Sequence, residues 1–355
     1  MKELEYPFDA AYIIKKRKSL KKALLADGTS RIRKKIAVFG GSTTSDIVKT
    51  LELFLLDAGI EPEFYESEYA QYFQDAMFPD ETLLSFKPDI VFIHTTNRNV
   101  TNWPEMTDTT EQIDEKLHTE INRFTAMWKS IAEKFHCPII QNNFEMPLYR
   151  LLGSRDAWDI HGRTNFLTRL NEAFYAYARE NESFYIHDLN FVSADYGLKE
   201  WSNPLFWNMY KYAMCFEAIP SFAFSVSHII KSIFGKNKKA LALDLDNTLW
   251  GGVVGDDGVD GIEIGQETGV SQSYYEFQTY VKQLKSLGIV LTVCSKNDHE
   301  NAIAGLNHPE GALRPDDFVI IKANWENKDR NIAETAAELN ILPDSIVFAD
   351  DNPAE

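Results

Sequence analysis

The sequence predicts an α/β protein built from two doubly wound parallel-sheet domains. Short apolar and β-branched segments alternate along the chain with amphipathic segments of helical periodicity. This alternation is typical of parallel sheets covered by helices. The 355 residues, 44% of them hydrophobic, are enough to bury two ordinary cores. We predict an N-terminal helical arm over residues 1–35, one α/β domain over residues 36–235 and a second over residues 236–355.

The first domain is predicted to begin with the strand Ile36-Ala37-Val38-Phe39, which runs into the glycine-rich turn Gly40-Gly41-Ser42-Thr43-Thr44. A helix-like stretch from Asp46 to Asp57 follows, as expected for a β-α-β unit. The further predicted strands are 90–94, 138–141 and 184–187, and the further predicted helices lie near 112–135 and 164–181.

Three strands of the second domain are predicted to end in residues suited to phosphate chemistry. The first ends in Asp244 and Asp246, the second in Ser295 and the third in Asp350-Asp351, while Lys328 opens a helix-like stretch. The carboxyl ends of parallel strands meet at one edge of a sheet, so we expect these side chains to converge there. The predicted strands are an apolar run from Leu241 and the runs 289–293 and 345–349.

The acid pair is suited to holding a metal and to attacking phosphorus. Side chains alternate along a strand, so Asp244 and Asp246 point to the same side. Two carboxylates placed in this way can hold a hard divalent cation such as Mg²⁺. A carboxylate beside such a cation can form an aspartyl-phosphate. A lysine and a hydroxyl at the same edge would bind the phosphoryl oxygens.

The spacing of these residues predicts an open site. The segments between Asp244 and Ser295 and between Ser295 and Lys328 are too short for a large lid domain in addition to the helices of the fold. The glycines of residues 251–258 favour a small hairpin flap beside the acids. An open site suits a bulky or carrier-tethered substrate.

Three sequence words resemble the haloacid dehalogenase superfamily of Mg-dependent phosphohydrolases, and specifically its FkbH-like subfamily. The words are DLDNTLWGGVVGDDG at 244–258, VCSKN at 293–297 and FADDNP at 348–353. The resemblance covers residues 237–355. It implies a Rossmann-like, haloacid dehalogenase-like domain, and the spacing described above predicts only a small flap as its cap.

The resemblance also implies a role for each residue of the edge. Asp244 would be the nucleophile, and Asp246 would be the general acid and base in the two half-reactions. Mg²⁺ would be the cofactor. The implied metal ligands are Asp244, Asp246 and Asp350, supported by Asp351, and the implied phosphate-binding residues are Asn247, Ser295 and Lys328.

FkbH-like proteins are associated with loading a three-carbon acid onto an acyl carrier protein as a glyceryl thioester. Cys294 neighbours Ser295, and a thiol there could carry an acyl group. A buried strand cysteine is the alternative interpretation. The predicted substrate is therefore a phosphorylated small acid or a carrier-linked one, with an acyl carrier protein as the candidate partner.

The first domain resembles the SGNH/GDSL esterase family at two positions, Ser42 on its glycine-rich turn and Asn97 after a predicted strand. That family places a histidine three residues after a late aspartate, and neither Asp188 nor Asp195 has one. His187 and His161 remain as alternative bases. We interpret the domain as a non-catalytic binding or docking module.

Charge and composition exclude several function classes. The 53 acids exceed the 36 bases, and the net charge is −17, so we predict binding neither to nucleic acid nor to membranes. The basic run Lys15-Lys16-Arg17-Lys18 is interpreted as a solvated helix face. The sequence has no signal-like start, and three scattered cysteines fit a reducing compartment, so a cytoplasmic location is predicted.

Three function classes remain: a Mg-dependent phosphatase, a glyceryl transferase using the same site, and a non-catalytic scaffold. The complete set of acids, hydroxyl and lysine argues against the scaffold. The chain ends directly after the last acidic motif, where such a sheet normally continues. We therefore expect the sequence to be a fragment.

Overall fold

A computed structural model describes residues 1–352 of the chain. They form two compact units: unit 1 is Met1–Gly235, and unit 2 begins at Lys236. Each unit is built on its own parallel sheet, of five and four strands respectively. The predicted α/β fold class is confirmed. Pro353, the last residue of the third sequence word, and the predicted fragment end lie outside the described residues.

The sheet of unit 1 has the order β2-β1-β3-β4-β5, and every pair is parallel. Its direction of winding changes between β1 and β3, so a crevice is expected at the carboxyl ends of the central strands. The strands are β1 Ile32–Gly40, β2 Ile60–Glu66, β3 Ile90–His94, β4 Ile139–Asn142 and β5 Phe184–His187.

Helices cover both faces of this sheet. Along β1, Ile36 and Val38 belong to one buried cluster, whereas Ala37 and Phe39 belong to the other. Both faces are apolar, as expected for a sheet buried on two sides. The helices are α1 Ala10–Ala26, α2 Ser45–Asp57, α3 Tyr72–Met77, α4 Glu81–Phe86, α5 Thr110–Phe135, α6 Arg163–Glu180, α7 Leu189–Tyr196, α8 Leu198–Trp201, α9 Pro204–Tyr210 and α10 Ile219–Ile233.

Two features of unit 1 differ from the sequence expectation. Strand β1 begins at Ile32 rather than Ile36, because residues 32–35 pair with β2. Strand β2 was not predicted, since Pro62 and three glutamates interrupt its apolar pattern. An edge strand tolerates a proline because one side of its backbone has no sheet partner.

Unit 2 has the strand order β8-β7-β6-β9, again entirely parallel. Strand β8 was not predicted, because its four residues include Lys322. The strands are β6 Ala240–Leu243, β7 Val290–Ser295, β8 Ile320–Ala323 and β9 Ile346–Ala349, and the helices are α11 Val254–Asp257, α12 Gly269–Ser286, α13 His299–Leu306 and α14 Lys328–Glu338.

The segment after β6 forms the small flap that the sequence predicts. Gly251 pairs with Glu263 in an antiparallel bridge, and the residues between them form a closed loop. The loop contains the helical turn α11 and a 3-10 turn at Val259–Gly261, so it is not a plain hairpin. Across the described span 240–323, no inserted domain separates β6 from β7 or β7 from β8, so the cap is limited to this flap. Within residues 1–352, every helix is too short or too polar to cross a membrane.

Candidate active site

The register of the second sheet brings two acids together at its carboxyl edge. Leu243 at the end of β6 is paired with Ala349 at the end of β9. The next residues are Asp244 and Asp350, and the Asp244 amide donates a 3.0 Å hydrogen bond to the carbonyl of Ala349. Carboxylate oxygens of Asp244, Asp350 and Asp351 lie within 4.8 Å of one another. This is a spacing at which one cation can bind all three.

Lys328, the first residue of α14, lies between two of these acids. Its Nζ is 3.0 Å from Oδ2 of Asp244 and 2.5 Å from Oδ2 of Asp350. The three side chains are each at most 10% exposed. A buried ammonium with two carboxylate partners is held in one place. The chain thereby supplies a fixed positive charge beside the candidate nucleophile.

The second acid of the pair, Asp246, is held by three hydrogen bonds. The indole Nε1 of Trp250 donates to its Oδ1 at 2.9 Å, and the Val254 amide donates to the same oxygen at 3.0 Å. Asn297 Nδ2 donates to Oδ2 at 3.0 Å. Burial raises the pKa of Asp246 above its ordinary value, and the neighbouring charge of Asp244 adds to the rise.

Asn247 has a structural contact in the flap. Its backbone is left-handed, with φ of 53°, a conformation that asparagine adopts more readily than most residues. Its Oδ1 accepts a 3.0 Å hydrogen bond from the Gly252 amide. The side-chain oxygen of Asn247 is therefore bonded to the flap. Its role in phosphate binding stays a prediction.

Ser295 and Cys294 are neighbours on β7, and their side chains take opposite faces of the sheet. Ser295 is the last residue of the strand and is buried. Cys294 is 1% exposed and packs in a cluster with Ala240 and Ala242. Its Sγ is 3.6 Å from the carbonyl oxygen of Lys328. The thiol is therefore buried among apolar side chains, and its role as an acyl carrier stays a prediction.

Ser42 in unit 1 lies on the turn after β1, but no histidine is hydrogen-bonded to it. Its Oγ is buried and has no hydrogen-bond partner within residues 1–352. The ring nitrogens of His187 lie 2.9 Å from Asn142 and 3.1 Å from Ser225. Those of His161 lie against Asp159 and the carbonyl of Asp108.

The side chain of the predicted Asn97 is hydrogen-bonded outside the glycine-rich turn. Its Nδ2 donates to the carbonyl of Glu145 at 3.3 Å. Asn99, which the sequence pattern did not mark, donates to the carbonyl of Gly41 at 2.9 Å instead. In the described part of unit 1, Ser42 therefore lacks the hydrogen-bonded histidine that is typical of serine esterases.

Comparison with known proteins assigns the chain to a family. The model of the FkbH N-terminal domain matches residues 35–231, more than half of the chain. The chain belongs to the FkbH family. Among solved structures, the chain is similar to the N-terminal part of a Bacteroides fragilis protein, which contains a phosphatase domain and was crystallised as a complex with Mg. It is 31% identical, with a TM-score of 0.85, and the match covers 95% of this chain and 89% of that one.

A GDSL-like lipase from Bacteroides thetaiotaomicron matches at 14% identity and a TM-score of 0.34, over 62% of this chain and 99% of that one. A score at this level does not establish a shared function. No curated protein sequence is significantly similar to the chain. The FkbH-like resemblance stated from the sequence is confirmed.

Two residues of this FkbH-family chain donate hydrogen bonds to Asp246, and the sequence analysis gave neither of them a role. Trp250 and Asn297 both occur within the sequence words that carried the resemblance. A sequence word marks its residues only as a group, and the fold alone shows that Trp250 and Asn297 meet at one carboxylate.

Gly305 packs against the Trp250 ring so closely that a Cβ there would lie 2.8 Å from it.

Proposed function

We propose that unit 2 is a Mg²⁺-dependent phosphohydrolase of the haloacid dehalogenase type, which acts through an aspartyl-phosphate on Asp244. The observation that carries the proposal is the cluster of Asp244, Lys328 and Asp350 at the carboxyl edge of the sheet. A buried carboxylate beside a fixed cation and two further acids is what phosphoryl transfer to an aspartate requires.

The donor set fits Mg²⁺. Oxygen ligands are those that this cation prefers, and Asp244, Asp350 and Asp351 bring their carboxylates within reach of one ion. The backbone carbonyl of Asp246 is a further candidate ligand. When bound, the metal would neutralise charge on the phosphoryl oxygens and favour their approach to an anionic nucleophile.

The chain's own groups supply the remaining steps. Oδ1 of Asp244 accepts a 2.8 Å hydrogen bond from the Leu245 amide, and Oδ2 contacts Lys328, so the attacking carboxylate is oriented from both sides. Asp246 would protonate the departing oxygen and then take a proton from the water that cleaves the aspartyl-phosphate. Lys328 would offset the negative charge of the transferring group.

The substrate class follows from the small cap. Only the flap and ordinary helices connect the strands that end in the site, so the site is open to a phosphorylated small acid or to a carrier-linked substrate. FkbH-family membership makes acyl transfer to a carrier protein the second candidate. Burial of the Cys294 thiol in an apolar cluster does not favour it. Phosphate hydrolysis is therefore the function that the geometry supports best.

The test is phosphate release from an aryl phosphate and from phosphorylated three-carbon acids, with and without Mg²⁺. The parent should release phosphate only with the metal, and Asp244→Asn should abolish release. The exposed Asp316→Asn is the control variant, which should keep parental activity. Release that persists in Asp244→Asn would refute the aspartyl-phosphate. A parent inactive on every substrate, with and without a carrier protein, would support the scaffold.

A further inference from the structure

A second polar pocket lies in unit 1, separate in sequence from the residues of the phosphohydrolase site. It is formed where β3 and β4 end, and its volume is about 140 Å³. Asn97 and Arg98 follow β3, Glu145 follows β4, and Arg163 and Trp201 come from α6 and α8. The carboxyl ends of strands in an open parallel sheet are the usual place for a ligand.

Both arginines of the pocket are held by stacking and not by acids. The guanidinium of Arg98 lies 4.6 Å from the ring centre of Trp207, and that of Arg163 lies 4.9 Å from the ring centre of Trp103. Among residues 1–352, neither guanidinium has a carboxylate within ion-pair distance, although the chain has 53 acids. Stacking orients a guanidinium while leaving its N–H donors available to an anion.

Glu145 lines the same pocket but does not supply the missing negative charge. Its side chain is buried, and its Oε2 accepts a 3.2 Å hydrogen bond from the Asn97 amide. Burial raises the pKa of Glu145 to about 8. The neighbouring Arg98 charge opposes this rise, but burial outweighs it and favours the neutral carboxyl, which offers an O–H donor to an anion.

We propose that this pocket binds a small organic acid or its phosphate ester, with the anionic oxygens held by Arg98, Arg163 and Glu145. Forked guanidinium donors match the geometry of carboxylate and phosphate oxygens. A cavity of about 10–15 Å³ holds one water molecule, so a pocket of about 140 Å³ has room for an acid of several carbons. Ser42 is not among the lining residues, so we propose binding without ester cleavage.

The test is a calorimetric titration of the full chain without Mg²⁺, using inorganic phosphate, malonate, glycerate and phosphoglycerate as separate probes. At least one probe should bind saturably, with a dissociation constant no weaker than about 1 mM. Arg98→Gln and Arg163→Gln should each weaken binding by about tenfold or more, since each removes a charge-assisted contact. Glu145→Gln should retain binding within a few-fold, because its amide keeps an N–H donor without a charge.

Arg155→Gln is the matched control. Arg155 also stacks on a tryptophan, Trp158, but it is paired with Asp159 and does not line the pocket, so its loss should leave affinity unchanged. Amide hydrogen exchange should show protection by the bound probe at residues 97–99 and 145–149.

Two results would overturn the proposal. One is the absence of saturable binding by every probe at about 10 mM. The other is equal affinity in the parent, Arg98→Gln and Arg163→Gln, each confirmed as folded by circular dichroism. Phosphate release measured in the same variants is expected to be parental, so failure of this proposal and failure of the phosphohydrolase are distinguishable.

Discussion

Replacing Lys328 with methionine should damage both the stability and the activity of unit 2. The substitution keeps much of the side-chain volume but removes a buried ammonium that contacts Asp244 at 3.0 Å and Asp350 at 2.5 Å. At an effective dielectric constant near 20, each contact is worth roughly 6 kcal/mol of Coulomb energy before desolvation. Breaking a buried pair typically leaves a net loss of about 3–5 kcal/mol, because the partner charge stays buried.

The same substitution should slow phosphate release by about 10²–10³-fold, the usual effect of losing one preorganised donor at developing charge. Stability is measured by urea denaturation, with hydrogen exchange in β6 and β9 as the readout. Activity is measured as the rate of phosphate release with Mg²⁺. Added Mg²⁺ should restore part of the lost stability, because a bound cation also neutralises Asp244 and Asp350.

Lys322→Met is the control for the Lys328 experiment. Lys322 also has two carboxylate partners, Glu334 and Glu338, but both acids are well exposed. Its loss should cost no more than about 1 kcal/mol and leave the rate unchanged. Two results together would refute the reasoning. The free energy of unfolding of Lys328→Met would lie within about 1 kcal/mol of the parental value, and its rate of phosphate release would lie within about tenfold of the parental rate.

Two further outcomes are expected. Trp250→Phe removes an N–H donor from Asp246, so it should slow hydrolysis of an alkyl phosphate about tenfold more than that of p-nitrophenyl phosphate, whose leaving group needs no proton. His94 and His187 are buried, and burial lowers the pKa of each to about 3. Below pH 6.5 the unfolded chain binds protons that the folded chain does not, so the free energy of unfolding of unit 1 should fall by about 1.4 kcal/mol per pH unit for each histidine, as hydrogen exchange can measure.

Each of these outcomes has a contrary result. Equal slowing of both phosphate esters in Trp250→Phe would mean that the indole only fills space. For the histidines, the stabilisation is complete above pH 6.5 and declines as the pH falls towards 3, so exchange rates corrected for pH should differ between pH 7 and 5. His187→Gln should roughly halve that difference. A free energy of unfolding that is the same at both pH values would contradict the effect of burial.

Much of the fold could be predicted from the sequence because its strands carry strong local signals. The predicted strand 90–94 coincides with β3, and 184–187 coincides with β5. Both are apolar or aromatic runs bounded by polar residues. Strands β2 and β8 were missed because a proline, glutamates or a lysine break the pattern. Their pairing with β1 and β7, which is a long-range contact, outweighs local propensity.

For the candidate site, the sequence predicts the residue types but not the contacts between them. The residue types that end β6 and β9, and the lysine that opens α14, could be read from the sequence because motif order and strand alternation are local properties of the chain. The register Leu243–Ala349 then brings Asp244 beside Asp350. Sequence periodicity alone predicts neither this register nor the ion pairs that depend on it.

Contacts between side chains far apart in sequence are visible only in the folded chain. Trp250 and Asn297 donate hydrogen bonds to Asp246, Cys294 is buried in an apolar cluster, and Ser42 Oγ has no hydrogen-bonded histidine. The fold also assembles Arg98, Arg163 and Glu145 around one pocket, although nothing in their local sequence marks them. The physical reason is that burial, and with it charge pairing and pKa, depends on what packs around a side chain in space. Residues distant in sequence supply most of those neighbours.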